Sequence, residues 1–285
     1  MTRLDGGEDE RLRRPAGIRT VRLGDARLSY VPDGVVRLRP LASLPDTTSE
    51  VWAAHPQYLD ESGNLVASIG GLLVEYRGRA LLIDAGFGPR SWLPGAIHGG
   101  ALLDSLAELG RRPEEIEAVA FTHLHPDHTG WAWHPVPGGD RLPFAHATYL
   151  LSEEEWAGRD LVGAQEIAAL TPRVRIVADG QEVFPGVRMR VTGGHSPGHA
   201  EYVITFGGQR LIAFGDALVS PIQVGHPGWS SSFDHDPAES AAHRRRLVAE
   251  LAEPGTIGFG VHFADVVFGR VRPEGDHFAW HPLDA

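Results

Sequence analysis

The tightest constraint on this chain is the run Thr122-His123-Leu124-His125-Pro126-Asp127-His128, which directly follows the apolar, strand-like stretch Ala118-Val119-Ala120-Phe121. Four side chains able to ligate a metal stand within six residues. Two histidines two apart on extended backbone project to the same side. The chain then turns at Pro126 and adds a carboxylate and a third imidazole. A loop at the end of a buried strand can present such groups without burying unpaired backbone. One histidine in that position would read as a polar surface turn. Three histidines and an aspartate at this spacing read as a metal site.

Composition narrows the chemistry. The chain has no cysteine, which excludes disulfides, thiol nucleophiles and thiolate metal sites together. A transition metal must then rest on imidazoles and carboxylates, and the 15 histidines become the residues to follow. All 26 basic residues are arginine, so lysine Schiff-base chemistry is excluded. The formal net charge of −11 argues against a nucleic-acid or anionic-membrane partner, since phosphate binding needs clustered positive charge. Residues 1–17 are charged and broken by Gly and Pro, without the apolar core of a signal peptide, and read as a flexible N-terminus. No apolar stretch is long enough for a transmembrane helix. These features predict a cytoplasmic protein with one domain over residues 18–285.

Periodicity places the run among α and β elements. Residues 66–76 and 80–84 read as strands around a tight Arg77-Gly78 turn. Leu102, Leu103, Leu106 and Leu109 share one helical face, with Gly110 as its stop. Further strands are expected at 118–122, 148–151, 187–192, 202–206, 210–214, 256–260, 265–271 and 277–280. A second helix is expected over 237–252, with Asp236 as N-cap and Pro237 at its first position. Residues 133–143, rich in Pro and Gly, read as a loop. The pattern is that of a layered α/β protein.

Five short motifs then occur in order: Asp84-Ala-Gly86, the His123–His128 run, Gly194-His195-Ser-Pro-Gly-His199, Phe214-Gly-Asp216, and Gly260-Val-His262. Together they resemble the metallo-β-lactamase superfamily, over about residues 18–281. The resemblance implies a four-layered αββα sandwich, classed α/β or α+β. It also implies that His123, His125 and His195 hold one metal, that Asp127, His128 and His262 hold a second, and that Asp216 bridges them. His and carboxylate ligands suit two Zn²⁺, while Mn²⁺ or Fe is chemically acceptable. Such a pair can hold a water as hydroxide and polarise a carbonyl, with Asp127 or Asp216 relaying a proton. His199 and Asp84 are expected to support the ligands rather than bind, with turn capping the other reading for Asp84.

Within the superfamily, zero cysteines and the presence of Asp216 stand against true β-lactamases. The acidic charge stands against RNase Z-like nucleases. The motifs are most similar to the N-acyl-homoserine lactonase and methyl-parathion-hydrolase-like group, implying a binuclear hydrolase of esters or lactones. Thioester hydrolysis, of the glyoxalase II or acyl-carrier kind, is the alternative. A mononuclear-iron oxidoreductase similar to the persulfide dioxygenases is a further rival. The lactonases carry a Tyr three residues after the bridging aspartate, where this chain has Val219. Ser220, His226 and Trp229 follow, and are the candidates for contact with a small-molecule substrate. A homodimer and a monomer are both compatible with the sequence. His243 and the run Arg244-Arg245-Arg246 read as packing and as the solvated face of the second helix.

Overall fold

The structure is a computed structural model and describes residues 6–92 and 96–284. Its strands fall into two sheets. One runs in the order 91–92, 97–98, 26–38, 65–76, 79–83, 118–120, 148–151 and 174–176, with strand 19–23 hairpinned onto 26–38. The other runs 182–184, 187–191, 200–206, 209–213, 256–259, 268–274 and 277–282.

Side-chain alternation along each strand, with a period of two, builds the layers. Leu72, Val74, Leu81 and Ile83 point inward and meet Tyr202, Ile204, Leu211 and Ala213 of the facing sheet. Leu73, Leu82, Val119 and Tyr149 point outward, beneath Leu102, Leu106 and Trp131 from the helical segments. On the far side, Ile212 and Phe214 are covered by Leu247, Val248 and Leu251 of helix Pro237–Leu251. Helix, sheet, sheet and helix make the expected αββα sandwich.

Strand ends position the site. Strands 79–83 and 118–120 run parallel, as do 209–213 and 256–259, so each pair delivers its following loop to one edge of its sheet. Strand 200–206 is antiparallel to 209–213 and therefore begins at that same edge. Cross-sheet bonds bring the two edges together: Ala200 N–H donates to Thr122 O at 2.8 Å and Tyr202 Oη to Phe121 O at 2.7 Å.

Three local expectations are corrected. Pro126, expected only as the point where the chain turns, opens a helix over residues 126–133, at a position where the missing N–H costs nothing. The strand expected at 265–271 begins instead at Phe268, because the carboxylate of Asp265 is held by Arg14 and Arg19 and Arg11 Nε donates to its carbonyl. The stretch read as a frayed start is tied down over residues 6–17: Leu12 and Ala16 are buried, and Ala16 N–H donates to Ser68 Oγ at 2.8 Å. Residues 1–5 lie outside the described residues.

Candidate metal centre

Each loop of the site is shaped by a buried carboxylate. Asp33 accepts from the backbone N–H of Phe87, Gly88, Gly100 and Leu102 and from Trp131 Nε1, at 2.6–3.1 Å. Segment 85–86 then pairs with helix 126–133 through Ala85 N–H to His128 O and Gly130 N–H to Gly86 O, both 2.7 Å. No side chain fits at Gly130: a Cβ there would lie 2.0 Å from the Phe87 carbonyl carbon. Glu155 joins two loops, accepting from Leu124 N–H at 2.8 Å, Ser196 Oγ at 2.6 Å and Gly198 N–H at 3.0 Å. Unpaired, these buried donors would each cost about 1–3 kcal/mol.

The loops converge on two groups of donors. His123, His125, His195 and Asp216 form one, and Asp127, His128 and His262 the other. In each group one ligand-capable atom per residue lies within 4.8 Å of the rest. Asp216 spans both: Oδ1 is 3.2 Å from His128 Nε2 and 3.1 Å from His262 Nε2, while Oδ2 is 3.4 Å from His195 Nε2. All seven sequence-selected ligands are therefore brought together.

Most of the imidazoles are held by the nitrogen facing away. His128 Nδ1 donates to Asp84 Oδ2 at 2.9 Å, His195 Nδ1 to Asp234 Oδ1 at 2.9 Å, and His262 Nδ1 to Ser68 O at 2.7 Å. His123 Nδ1 is 3.0 Å from Thr122 Oγ1, whose proton goes to Asp84 Oδ2 at 2.9 Å. This arrangement fixes the tautomer and presents Nε2. Asp84 thus orients the loop, also accepting from Thr122 N–H at 2.8 Å, and does so from a left-handed backbone at φ 60°. His199 differs. Its Nδ1 meets Thr192 Oγ1 at 2.8 Å and its Nε2 accepts from Asp216 N–H at 3.1 Å, so no lone pair remains for a metal.

Charge at the site fits a cation. Among the described residues, the buried atoms His123 Nε2, His128 Nε2 and Asp216 Oδ1 have no well-formed hydrogen bond. Burial, with His128 and His125 adding to it, drives His123 well below the ordinary imidazole value. Burial and His195 push His125 down to about 4. Burial would also lower His128 and His262, but Asp216, joined by Asp84 and Asp127 at His128 and by Asp127 at His262, outweighs it and holds both above the usual value. Burial would raise Asp216, yet His262 and His128 keep it well below the carboxylate range. Neutral imidazoles at His123 and His125, and the pull of Asp216 and Asp127 for positive charge at His128 and His262, suit divalent metals.

Ser220, His226 and Trp229 are not among the grouped donors. Trp229 stacks on His226 at 3.9 Å and 8°, and packs with Val219, Trp52, Leu44 and Ile222. Gln223 ties this wall together, accepting from Val219 N–H at 2.8 Å and donating to Trp229 O at 2.9 Å. The arginine run departs from expectation. Arg245 and Arg246 are exposed, but Arg244 is wholly buried against Asp234. Its position on the stripe Ser240, Ala241, Arg244, Leu247, Val248, Leu251 was the available signal. Asp33, Glu155 and Asp234 had no such signal, because their partners are distant in sequence.

Comparison with known proteins agrees with this fold. A Bacillus cereus N-acyl homoserine lactonase is 25% identical over 125 residues, covering 43% of this chain and 46% of the relative, so the match spans about half of that protein. The solved structure of AidC, a dizinc quorum-quenching lactonase, superposes with a TM-score of 0.82 at 21% identity, over 95% of this chain and 99% of the other. The hydrolase AbOPH gives a TM-score of 0.80 at 23% identity, over 95% and 98%. Residues 72–257 match the metallo-β-lactamase superfamily, and with the αββα sandwich and donor-bearing loops at its edge already described, the chain belongs to that family.

Proposed function

We propose that the protein is a binuclear metal hydrolase, with zinc as the metal, acting on an ester or lactone bond of a small molecule. The observation that carries this reading is Asp216, whose two oxygens reach histidines of both donor groups. On this reading His123, His125 and His195 hold one ion and Asp127, His128 and His262 the other. Two divalent ions so held supply an acidified water and a Lewis acid for a carbonyl oxygen.

The chain's own residues do the rest. Asp127, with its side chain 20% exposed against 9% or less for Asp216 and most of the imidazoles, stands on the solvent side of the cluster. It is placed to take a proton from water and pass it to the leaving oxygen. The side chain of Val219 supplies no hydrogen-bond donor where the lactonases carry a tyrosine. It contributes apolar surface instead, with Trp229 and Trp52, against which an acyl or aromatic substrate group can rest. The AidC structure contains an N-acyl homoserine product, which supports a carbonyl substrate of this size.

The test is a hydrolysis panel of lactones, aryl esters, thioesters and phosphotriesters on zinc-loaded protein. Turnover of lactones or esters that is lost in Asp216→Asn supports the proposal. Thioester turnover alone moves the assignment to the alternative class, and no turnover on any of them rejects it.

A further inference from the structure

Behind the donor cluster lies a second, wholly buried ion pair. Asp234 and Arg244 have no exposed side-chain surface, and Arg244 Nη1 stands 3.0 Å from Asp234 Oδ2. The other carboxylate oxygen, Oδ1, accepts from His195 Nδ1 at 2.9 Å. Burying a charged pair is costly unless its remaining donors find partners, and here each of the three guanidinium nitrogens does. Arg244 Nη1 also reaches Ser240 Oγ at 2.7 Å, Nη2 reaches Ser230 Oγ at 2.9 Å, and Nε reaches Pro227 O at 3.1 Å. Ser231 N–H completes Asp234 Oδ2 at 3.0 Å.

The backbone repeats the connection. His235 N–H donates to His195 O at 3.0 Å and Asp236 N–H to Gly194 O at 2.8 Å. Gly194, at φ 84°, sits so close to the first turn of helix 237–251 that a Cβ would lie 2.6 Å from Ser240 N. The loop carrying His195, the segment 227–236 and the helix therefore meet around one guanidinium.

We propose that Asp234 and Arg244 are a positioning pair for the metal group that contains His195. Asp234 fixes the tautomer and ring plane of His195, and Arg244 holds the Asp234 carboxylate in the position to do so. The same guanidinium anchors the 227–230 segment next to His226 and Trp229, so the metal ligand and the apolar wall share one support. This inference rests on the metal-centre reading above.

Its test is a Co²⁺ titration of the metal-free full-length chain against a competing chelator, followed by the visible spectrum and by thermal melting of the metal-free protein. Asp234→Asn keeps the shape but cannot serve both His195 and Arg244 as a carboxylate. Losing such a partner typically weakens metal binding about 10–100-fold, and that loss is expected in one of the two Co²⁺ steps only. Arg244→Met should weaken the same step, and Arg244→Lys, which restores the charge, should recover most of it. The double variant Asp234→Asn/Arg244→Met should lose no more than the larger single effect, as expected if Arg244 acts through Asp234. Two Co²⁺ steps of parental affinity in Asp234→Asn overturn the inference while leaving the metal centre intact. So does equal weakening of both steps accompanied by a lower melting temperature, the signature of a purely structural pair. A parent chain that binds no Co²⁺ overturns the metal reading itself, and this inference with it.

Discussion

At the scale of single residues, the site is organised by which nitrogen of each histidine is already spoken for. Asp84, Asp234, Thr122 and the Ser68 carbonyl take the Nδ1 side of His128, His195, His123 and His262. What is left points inward, towards Asp216. Replacing Asp216 with Asn removes the one carboxylate common to both groups, and turnover is expected to fall by at least about a hundredfold with loss of metal. Steady-state rates on the best substrate, alongside metal content, check this; wild-type turnover in that variant is incompatible with a bridging role. Protonation separates the groups as well. Metal binding requires neutral imidazole, and the proton affinity of His128 and His262 is raised by Asp216 and Asp127, whereas that of His123 and His125 is lowered, His125 to about 4. As pH falls, protons therefore compete first at the Asp127/His128/His262 group. As pH falls through the raised values of that pair, above the ordinary histidine value of about 6.5, affinity for the second metal equivalent should drop while that for the first holds. Calorimetry in buffers of different ionisation enthalpy should show proton release with only one of the two binding steps.

At the scale of elements, short local contacts decide whether the donors meet. Helix 126–133 carries Asp127 and His128 and is laid directly on backbone 85–88, with Gly130 at the contact. Gly130→Ala meets main chain that cannot rotate away, so a loss of about 1–3 kcal/mol is expected, together with weaker metal binding. Gly163→Ala, where a Cβ meets nothing within 4 Å, is the matched control and should stay within about 0.5 kcal/mol. Denaturant melts of the two variants decide it; equal stability would mean that the helix seat is not tight. Glu155 makes a related point. Ser152-x-x-Glu155 has the form of a capping box, and Ser152 Oγ does accept from Glu155 N–H at 3.0 Å. The glutamate side chain, however, bonds Leu124, Ser196 and Gly198 instead of the helix start. Glu155→Gln leaves one oxygen for donors that now use two, and metal affinity should fall with little change in helix content by circular dichroism.

At the scale of the whole molecule, the seven donors were legible because the fold delivers them from strand ends with short, local motifs. The run at 122–128 announces itself through spacing alone. His195, Asp216 and His262 become visible only through their motif context, since nothing local distinguishes them from other buried polar residues. The carboxylates that shape the loops were not legible: Asp33 meets Trp131 across 98 positions and Asp234 meets His195 across 39. A sequence window contains neither partner, and a lone acidic residue carries no periodic signature. Arg244 was misread for a related reason, because charge suggested solvent where helical register put it on the buried stripe. The N-terminal segment shows the same long reach. Arg11, Arg14 and Arg19 gather on Asp265, three residues beyond His262. Removing residues 1–17 should therefore lower the melting temperature and weaken metal binding together, as thermal melts with and without added Zn²⁺ would show; an unchanged melt would mean that this segment only covers the surface.

The central claim, a two-metal site held by seven side chains, is tested most directly by elemental analysis of zinc-loaded protein after removal of free metal. Two zinc equivalents per folded chain are expected. A single equivalent of iron, or no bound metal in a correctly folded chain, would contradict it.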